Sequence, residues 1–271
     1  MGGMPAFVPS GLITLTTDFG LEDPFVGVMK GSILARFAAA RIVDLTHAVP
    51  AQRPLEAGFW LSRSFGYFPA GTVHVAVVDP GVGTARAILC ALANGHALLA
   101  PDNGLLEPVA ALCPSLQTVE LAPERLSGLG IQRVSATFHG RDIFAPVAAE
   151  LACGRCAPLD LGQPRIVFDP GGSPPAEPTG RTVRGCVVTV DHFGNLITDI
   201  DARRLEGLGT PRVGIAGRLL AVRHTYADAS AGELMAVINS FGVLEIAERD
   251  GSAATTLRVG RGAPVTVEPA G

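Results

Sequence analysis

Val77-Val78-Asp79-Pro80-Gly81-Val82-Gly83-Thr84-Ala85-Arg86 decides how this chain is read, because an apolar strand here runs into a glycine-bearing loop that carries one acid and one base. A Rossmann methyltransferase loop begins the same way, but its glycines must open a helix whose N-terminus faces the ligand. Residues 84–92 instead alternate like a strand and run into Asn94-Gly95, a strong short hairpin signal. Arg86 would also fall in the first helical turn, where a cation is disfavoured. The loop therefore leads into a hairpin of residues 88–92 and 97–100, and Gly81 and Gly83 read as turn formers that aim Asp79 and Arg86.

Upstream, residues 11–17 read as a buried strand, and Thr17-Asp18-Phe19-Gly20 sets a carboxylate just beyond its C-terminal end, where open α/β sheets bind ligands. Asp23 and Pro24 suit the N-cap and first position of a helix that carries Phe25, Val28, Met29, Ile33 and Phe37 at helical spacing. A strand at 42–45, a helix at 54–64 and a strand at 72–78 follow, so Asp18 and Asp79 stand at two strand ends and form a candidate rim. Downstream, Pro101-Asp102-Asn103-Gly104 makes a turn. Residues 134–138 read as a strand leading to His139 in Thr137-Phe138-His139-Gly140-Arg141-Asp142, and 143–153 as a helix with Pro146 confined to its first turn. The organisation expected is an α/β N-terminal domain (1–168), a Pro/Gly-rich linker (169–181) and a mostly β C-terminal domain (182–271), the last with strand-like runs at 182–190, 196–200, 213–222, 234–238, 243–247 and 264–267.

Hydrophobic residues make up 48% of the 271, charged residues 17%, and the formal net charge is -4. That composition gives no electrostatic footprint for nucleic acid or an anionic membrane. No apolar run approaches the ~20 residues of a membrane span, and the first ten residues lack a leader pattern, so a cytoplasmic location is expected. Five cysteines, an odd number in apolar settings, read as reduced thiols, and Cys153-Gly154-Arg155-Cys156 lacks a second pair. The six histidines are dispersed, so no metal site is expected. Asp79, Arg86 and His139 combine an acid, a fixed cation and a titratable imidazole. Arg86 can orient or stabilise an anion but cannot act as a base, which leaves His139 or Asp79 to handle a proton. Asp191-His192-Phe193-Gly194-Asn195 reads either as a hairpin turn or as a ligand loop, and Ser240-Phe241-Gly242 has the same two readings.

These motifs together resemble the adenosine-forming S-adenosyl-L-methionine (SAM) hydrolases, also called SAM hydroxide adenosyltransferases, relatives of the SAM-dependent fluorinase and chlorinase. The resemblance runs from Thr17-Asp18-Phe19-Gly20 through Asp44-Leu45-Thr46-His47, residues 77–86, Pro101-Asp102-Asn103-Gly104, Phe138-His139-Gly140-Arg141-Asp142 and Phe193-Gly194-Asn195 to Gly251-Ser252-Ala253-Ala254. It implies a two-domain fluorinase-like fold and a homotrimer with active sites between the N-terminal domain of one subunit and the C-terminal domain of its neighbour. It places the hydrolases' catalytic set on Asp79, Arg86 and His139, and the ribose-diol acid on Asp18. By the same resemblance Asp191 lies near the methionine amine, Phe193 and Asn195 in the adenine-side pocket, and Ser240 on the methionine carboxylate. Glu248 and Asp250 belong to the adenine rim. Arg249 stands there in place of the family's usual Asn, so the resemblance carries over no side-chain contact at that position and leaves only backbone contacts open, and Asp199 is a second departure from Asn. The halogenases carry an aromatic at the position of His139, and the fluorinase a serine at that of Gly140, so both residues favour hydrolysis.

The implied reaction is SAM plus water giving adenosine and L-methionine, with no cofactor beyond the substrate. Because the sulfonium leaves as a neutral thioether, the difficulty lies with the nucleophile. Water, with a pKa of ~15.7, is to be activated at the ribose C5′ by Arg86 with His139, oriented with Asp79, as proton acceptor. A chlorinase-like halogenase and a non-catalytic SAM or adenosine sensor are the alternatives.

Overall fold

The computed structural model describes residues 6–165, 178–179 and 182–269. The chain divides into two compact units, Met1–Gly172 and Ser173–Gly271. The first is α/β and the second mostly β. The expected linker at 169–181 lies outside the described residues except for Pro178–Thr179.

The first unit runs β1 (Leu12–Thr17), α1 (Phe25–Arg36), β2 (Arg41–Thr46), α2 (Pro54–Ser64), β3 (Val73–Val77), β4 (Ile88–Ala93), β5 (His96–Pro101), α3 (Glu107–Leu112), β6 (Gln117–Leu121), α4 (Pro123–Gly128), α5 (Ala145–Ala152) and β7 (Gly162–Pro164). Its seven strands form one sheet in the order β2-β1-β3-β5-β4-β6-β7. Strands β2, β1, β3 and β5 are parallel, and the remainder pair antiparallel. Alternation along the strands sorts side chains between two cores. Ile13, Leu15, Val73, Val75, Val77, Cys90 and Leu99 pack with Met29 and Ile33 of α1 and with α5. On the other face, Ala76, Val78, Leu89, Ala91, Leu98 and Ala100 meet Ala57 and Leu61 of α2 and Val109 of α3.

The chain leaves β1 over one face and enters β3 from the other, so the strand order reverses between these two neighbours. Such a switch point opens a crevice at the carboxyl ends of the strands. Thr17 pairs with Val77 there, so Asp18 and Asp79 emerge side by side.

The second unit comprises β8 (Pro178–Thr179), β9 (Thr182–Val190), β10 (Leu196–Asp201), β11 (Arg212–Ile215), β12 (Arg218–Arg223), β13 (Leu234–Ile238), β14 (Val243–Glu248), α6 (Ala253–Leu257) and β15 (Pro264–Glu268). Because β9 pairs with both β15 and β10, strands β9 to β15 close into a seven-stranded barrel, with β8 appended to β9. Val183, Val187, Leu196, Val213, Leu220, Ala236, Leu244, Ile246, Val265 and Val267 contribute to its core.

Four expectations need correction. Residues 134–138 form no strand, because side chains take their amides: Ser135 N donates to Asp142 Oδ2 (2.8 Å) and Phe138 N to Ser135 Oγ (3.0 Å). The helix expected at 143–153 begins earlier, with a π-helical turn, Gly140–Phe144, ahead of α5. Pro146 has no N–H to give the Arg141 carbonyl of that turn, which accepts from Ser32 Oγ instead (3.1 Å). Asp23 does not cap α1: Pro24 occupies the N-cap, and Phe25 and Val28 are exposed while Val26, Met29 and Ile33 are buried. The run at 213–222 is two strands, since Ala216 (φ 49°) and Gly217 (φ 71°) make a left-handed two-residue turn with Ile215 paired to Arg218. The Asn94-Gly95 hairpin forms as expected, with Ala93 paired to His96.

Alanine for a mid-helix glycine ordinarily stabilises by up to about 1 kcal/mol. At Gly58 in α2 a Cβ would lie 2.0 Å from the Leu105 carbonyl oxygen, against α3. Gly58→Ala is expected to lower the urea midpoint; an unchanged or raised midpoint would mean the α2–α3 contact yields freely.

Candidate active site

The glycine loop after β3 is built from short-range bonds. Val82 N donates to Asp79 O (3.3 Å), Thr84 N to Gly81 O (3.1 Å), and Thr84 Oγ1 to the same carbonyl (2.7 Å). Gly83 has φ 80°, and a Cβ there would lie 2.2 Å from the Ala136 carbonyl oxygen. Only glycine lets the loop press on the segment that leads to His139. From the other side, Asn103 Nδ2 donates to Val78 O (2.9 Å), which gives the Pro101-Asp102-Asn103-Gly104 turn its part in the site.

This loop turns Arg86 back onto Asp79. Its Nε donates to Asp79 Oδ1 (2.8 Å) and Oδ2 (3.0 Å), and Nη2 also donates to Oδ2. Both side chains are nearly buried, at 9% and 5% exposure. Nη2 further donates to His139 Nδ1 at 2.8 Å. A guanidinium has no acceptor, so Nδ1 carries the lone pair, and the neutral ring holds its proton on Nε2. Burial, then the Arg86 charge, hold the His139 pKa below its ordinary value against the opposing pull of Asp79 and Asp142. The three residues thus stand in a row with Arg86 at the centre, and Asp79 reaches His139 only through it.

Two neighbouring pieces hold that row. Asp142 pairs with Arg141, whose hydrogen bond is the first cause of a pKa drawn down to about 2. Phe138 packs edge-on against Phe19 (5.9 Å) and Phe25 (5.4 Å), joining the His139 segment to the Asp18 loop. The fluorinase serine would not sit easily at Gly140, where a Cβ would meet Phe138 at 3.1 Å and Met29 Sδ at 3.2 Å.

Asp18 accepts from Gln52 N at Oδ2 (2.9 Å), and its Oδ1 has no partner among the described residues. His47 shapes this loop: its carbonyl accepts from Gly20 N (2.9 Å), and Nδ1 meets Thr17 Oγ1 (2.8 Å), which accepts from Phe19 N (3.2 Å). His47 Nε2 lies 3.1 Å from Asp44, itself bound to Lys30 (2.6 Å). The Asp44-Leu45-Thr46-His47 motif therefore holds the loop on both sides of Asp18, at Thr17 and at Gly20.

In the second unit, Asp191 organises its own turn. Oδ1 accepts from Phe193 N and Asn195 N (both 2.9 Å), and Oδ2 from Asn195 Nδ2 (3.0 Å). Gly194 (φ 85°) brings the turn against α6, where Ala254 N donates to its carbonyl (3.0 Å). The ring of Phe193 is 73% exposed, and Ser240 is exposed on the turn before β14. Glu248 accepts from Thr256 Oγ1 (2.5 Å), and Asp250 adopts φ 59° at the following turn. Arg249 divides its guanidinium: Nη1 donates to the carbonyls of Ala227 (3.2 Å) and Ala229 (2.5 Å), and Nε lies 3.6 Å from Asp250 Oδ2. Asp199, the second departure, accepts from Cys186 N (2.8 Å). The sequence reading missed the Phe19–Phe25–Phe138 cluster, the Asn103 tether and the role of His47, although all but Phe25 lie in motifs quoted for the resemblance.

An α/β unit with an acid–guanidinium–imidazole row at its switch point, followed in the chain by a closed β-barrel, defines the two-domain fluorinase-like class. The chain belongs to the SAM hydroxide adenosyltransferase family, whose N-terminal domain matches residues 13–162 and whose C-terminal domain matches residues 185–266. Relatives named (R)-S-adenosyl-L-methionine hydrolase include one from Salinispora arenicola, 42% identical over 256 residues that cover 91% of this chain and 94% of that one. Another, from Thermus thermophilus, is 40% identical over 253 residues, covering 92% and 96%. Among solved structures, an uncharacterized conserved protein from Thermotoga maritima superposes with a TM-score of 0.85 at 33% identity, covering 94% of this chain and 99% of that one.

Removing one partner of a buried ion pair strands the other charge. Asp79→Ala is expected to cost about 3–5 kcal/mol in urea unfolding. Asp142→Ala should cost less, because Arg141 is 43% exposed. Equal losses would mean that Arg86 finds solvent when Asp79 is gone.

Proposed function

We propose that this chain hydrolyses SAM to adenosine and L-methionine, acting on the (R) epimer at sulfur for which its relatives are named. The observation that carries the reading is the 2.8 Å approach of Arg86 Nη2 to His139 Nδ1, a fixed cationic donor facing a neutral acceptor. In the substrate complex this direct bond gives way to a water, which accepts from Arg86 Nη2 and donates to the freed Nδ1. Its O–H bond breaks toward His139 as its oxygen forms the bond to ribose C5′. The C5′–S bond breaks with its electron pair going to sulfur, and methionine leaves as a neutral thioether. Opposite charges cancel in that transition state, so a dry pocket assists it. Asp79 balances Arg86, so the row presents no net positive charge to a cationic substrate. Asp18, with its free oxygen, takes the ribose diol. Asp191 and Ser240 serve the methionine end, and Phe193, Asn195, Glu248 and Asp250 serve the adenine side.

The assay is chromatography of adenosine from purified protein with each SAM epimer in EDTA. Adenosine from the (R) epimer is expected; 5′-chloroadenosine in chloride instead would point to the halogenase reading, and stoichiometric binding without product to a sensor. His139→Ala should lower turnover about 10²–10⁴-fold. The activity of the unaltered protein should fall on acidification, because protonation occupies Nδ1, and the midpoint should lie below the ordinary histidine value of 6.5 because the His139 pKa is lowered. A midpoint above it would remove His139 as the base.

The proposal includes a homotrimer that completes each site with a neighbour's β domain. It is supported by the resemblance and by the exposed Phe193 ring. Light scattering should give three times the 27.9 kDa chain mass, and a monomer with full activity would sink it. A cytoplasmic location belongs to the same reading, supported by five unpaired thiols. Among the described residues, no helix is long and apolar enough to cross a membrane.

A further inference from the structure

The outer face of the barrel carries a buried carboxylate that no part of the proposed chemistry uses. Glu245 lies on β14 between Leu244 and Ile246, which point into the barrel core, so its own side chain points outward, yet it is only 3% exposed. It pairs across β10 with Ile197, two residues from Asn195, and across β13 with Val237. The Asp191-bound side chain of Asn195 therefore shares this outer face by strand alternation. The short helical turn Tyr226–Asp228 contributes to its cover and is held there by Arg249 through Ala227 and Ala229.

Both carboxylate oxygens are engaged. Tyr226 Oη donates to Oε1 (2.6 Å) and Asn239 Nδ2 to Oε2 (3.2 Å). With its NH₂ group committed to Glu245, Asn239 turns Oδ1 to the main chain, where it accepts from Phe241 N (3.0 Å) and Val243 N (3.3 Å). Two further bonds close the turn, Asn239 N to Val243 O (3.0 Å) and Gly242 N to Asn239 O (2.9 Å). The residue this turn displays is Ser240.

We infer that Glu245 is a positioning residue for the methionine end of the substrate: by fixing which way the Asn239 amide points, it shapes the turn that presents Ser240, and it lays a second negative charge behind Asp191. This rests on the methionine-end roles proposed for Ser240 and Asp191. Burial first, and then the Asp191 charge, raise the Glu245 pKa, which places the two acids within each other's field. The Tyr226 hydroxyl is also raised, by burial, Glu245 and then Asp191. One α-ammonium at Asp191 would thus answer to two carboxylates, one direct and one buried.

The amide polarity gives a reciprocal test. In Glu245→Gln, an amide that still accepts from Tyr226 turns its NH₂ group onto that of Asn239. If Asn239 flips to escape, it turns that group onto the N–H groups of Phe241 and Val243. Asn239→Asp alone opposes two carboxylates. In the double variant the amide at 245 donates to the carboxylate at 239, whose other oxygen still accepts from the turn. Each single change is expected to raise KM for SAM about tenfold, with kcat and the inhibition constant of adenosine held within about threefold, and the double variant to recover most of the loss. A loss confined to KM and reversed by the swap is not what general destabilisation gives. Ser240→Ala and Asp191→Asn run alongside. If both leave KM unchanged, the assignment of the methionine end fails and the inference with it. If they raise KM while Glu245→Gln does not, or the double variant is no better than the singles, only the inference is overturned. Should a single variant fail to fold, the double must still fold and bind, and its failure counts against the proposal.

Discussion

A guanidinium that cannot lose its proton is held almost out of water at the end of β3, and the rest of the first unit is arranged around that constraint. A buried arginine needs a carboxylate, and Asp79 supplies one seven residues earlier on the same loop with three hydrogen bonds. A remaining N–H is directed at His139, where burial first and then the guanidinium charge favour the neutral imidazole. One ion pair thereby balances the local charge, fixes a donor and keeps a base unprotonated. None of these would follow from Asp79 or Arg86 alone.

The supports of that row come from far apart in the chain. Asn103 holds the strand end, Gly83 admits the Ala136 carbonyl, and Phe138 joins the imidazole's segment to the Asp18 loop through Phe19 and Phe25. The loop that carries Asp18 in turn depends on His47, one helix and one strand later in sequence but adjacent through the β1–β2 pairing. The switch in strand order between β1 and β3 is what allows these pieces to converge, since it sets the carboxyl ends of two strands side by side.

The second unit uses its surface differently. The barrel interior is apolar and closed, so the polar groups singled out in the sequence are carried by turns and by the outer face. There Asp191 binds its own turn, as the turn reading requires, and the carboxylate orders the loop on which Phe193 is displayed. Arg249, which breaks the family's usual residue, serves the same face by tying down the segment that brings Tyr226 to Glu245.

The sequence by itself determined the two-part α/β and β architecture, the strand ends that carry Asp18 and Asp79, and the Asn94-Gly95 hairpin that removed the Rossmann reading. It could do so because hydrophobic alternation and turn chemistry are local properties. It also named Asp79, Arg86 and His139 as a set, since chemistry-bearing residues at strand ends are conspicuous in so apolar a chain. It misread 134–138, where a strand-like composition was overruled by side chains of Ser135 and Asp142 that took the backbone amides, and it fused β11 with β12 because Ala216 gives little sign of a left-handed turn. Only the tertiary structure decided that Arg86 stands between Asp79 and His139, that His47 braces the loop carrying Asp18, and that Glu245 is buried beneath Tyr226 on the barrel's outer face. Each of those depends on which strands become neighbours, and pairing between distant segments leaves no periodic trace in the chain.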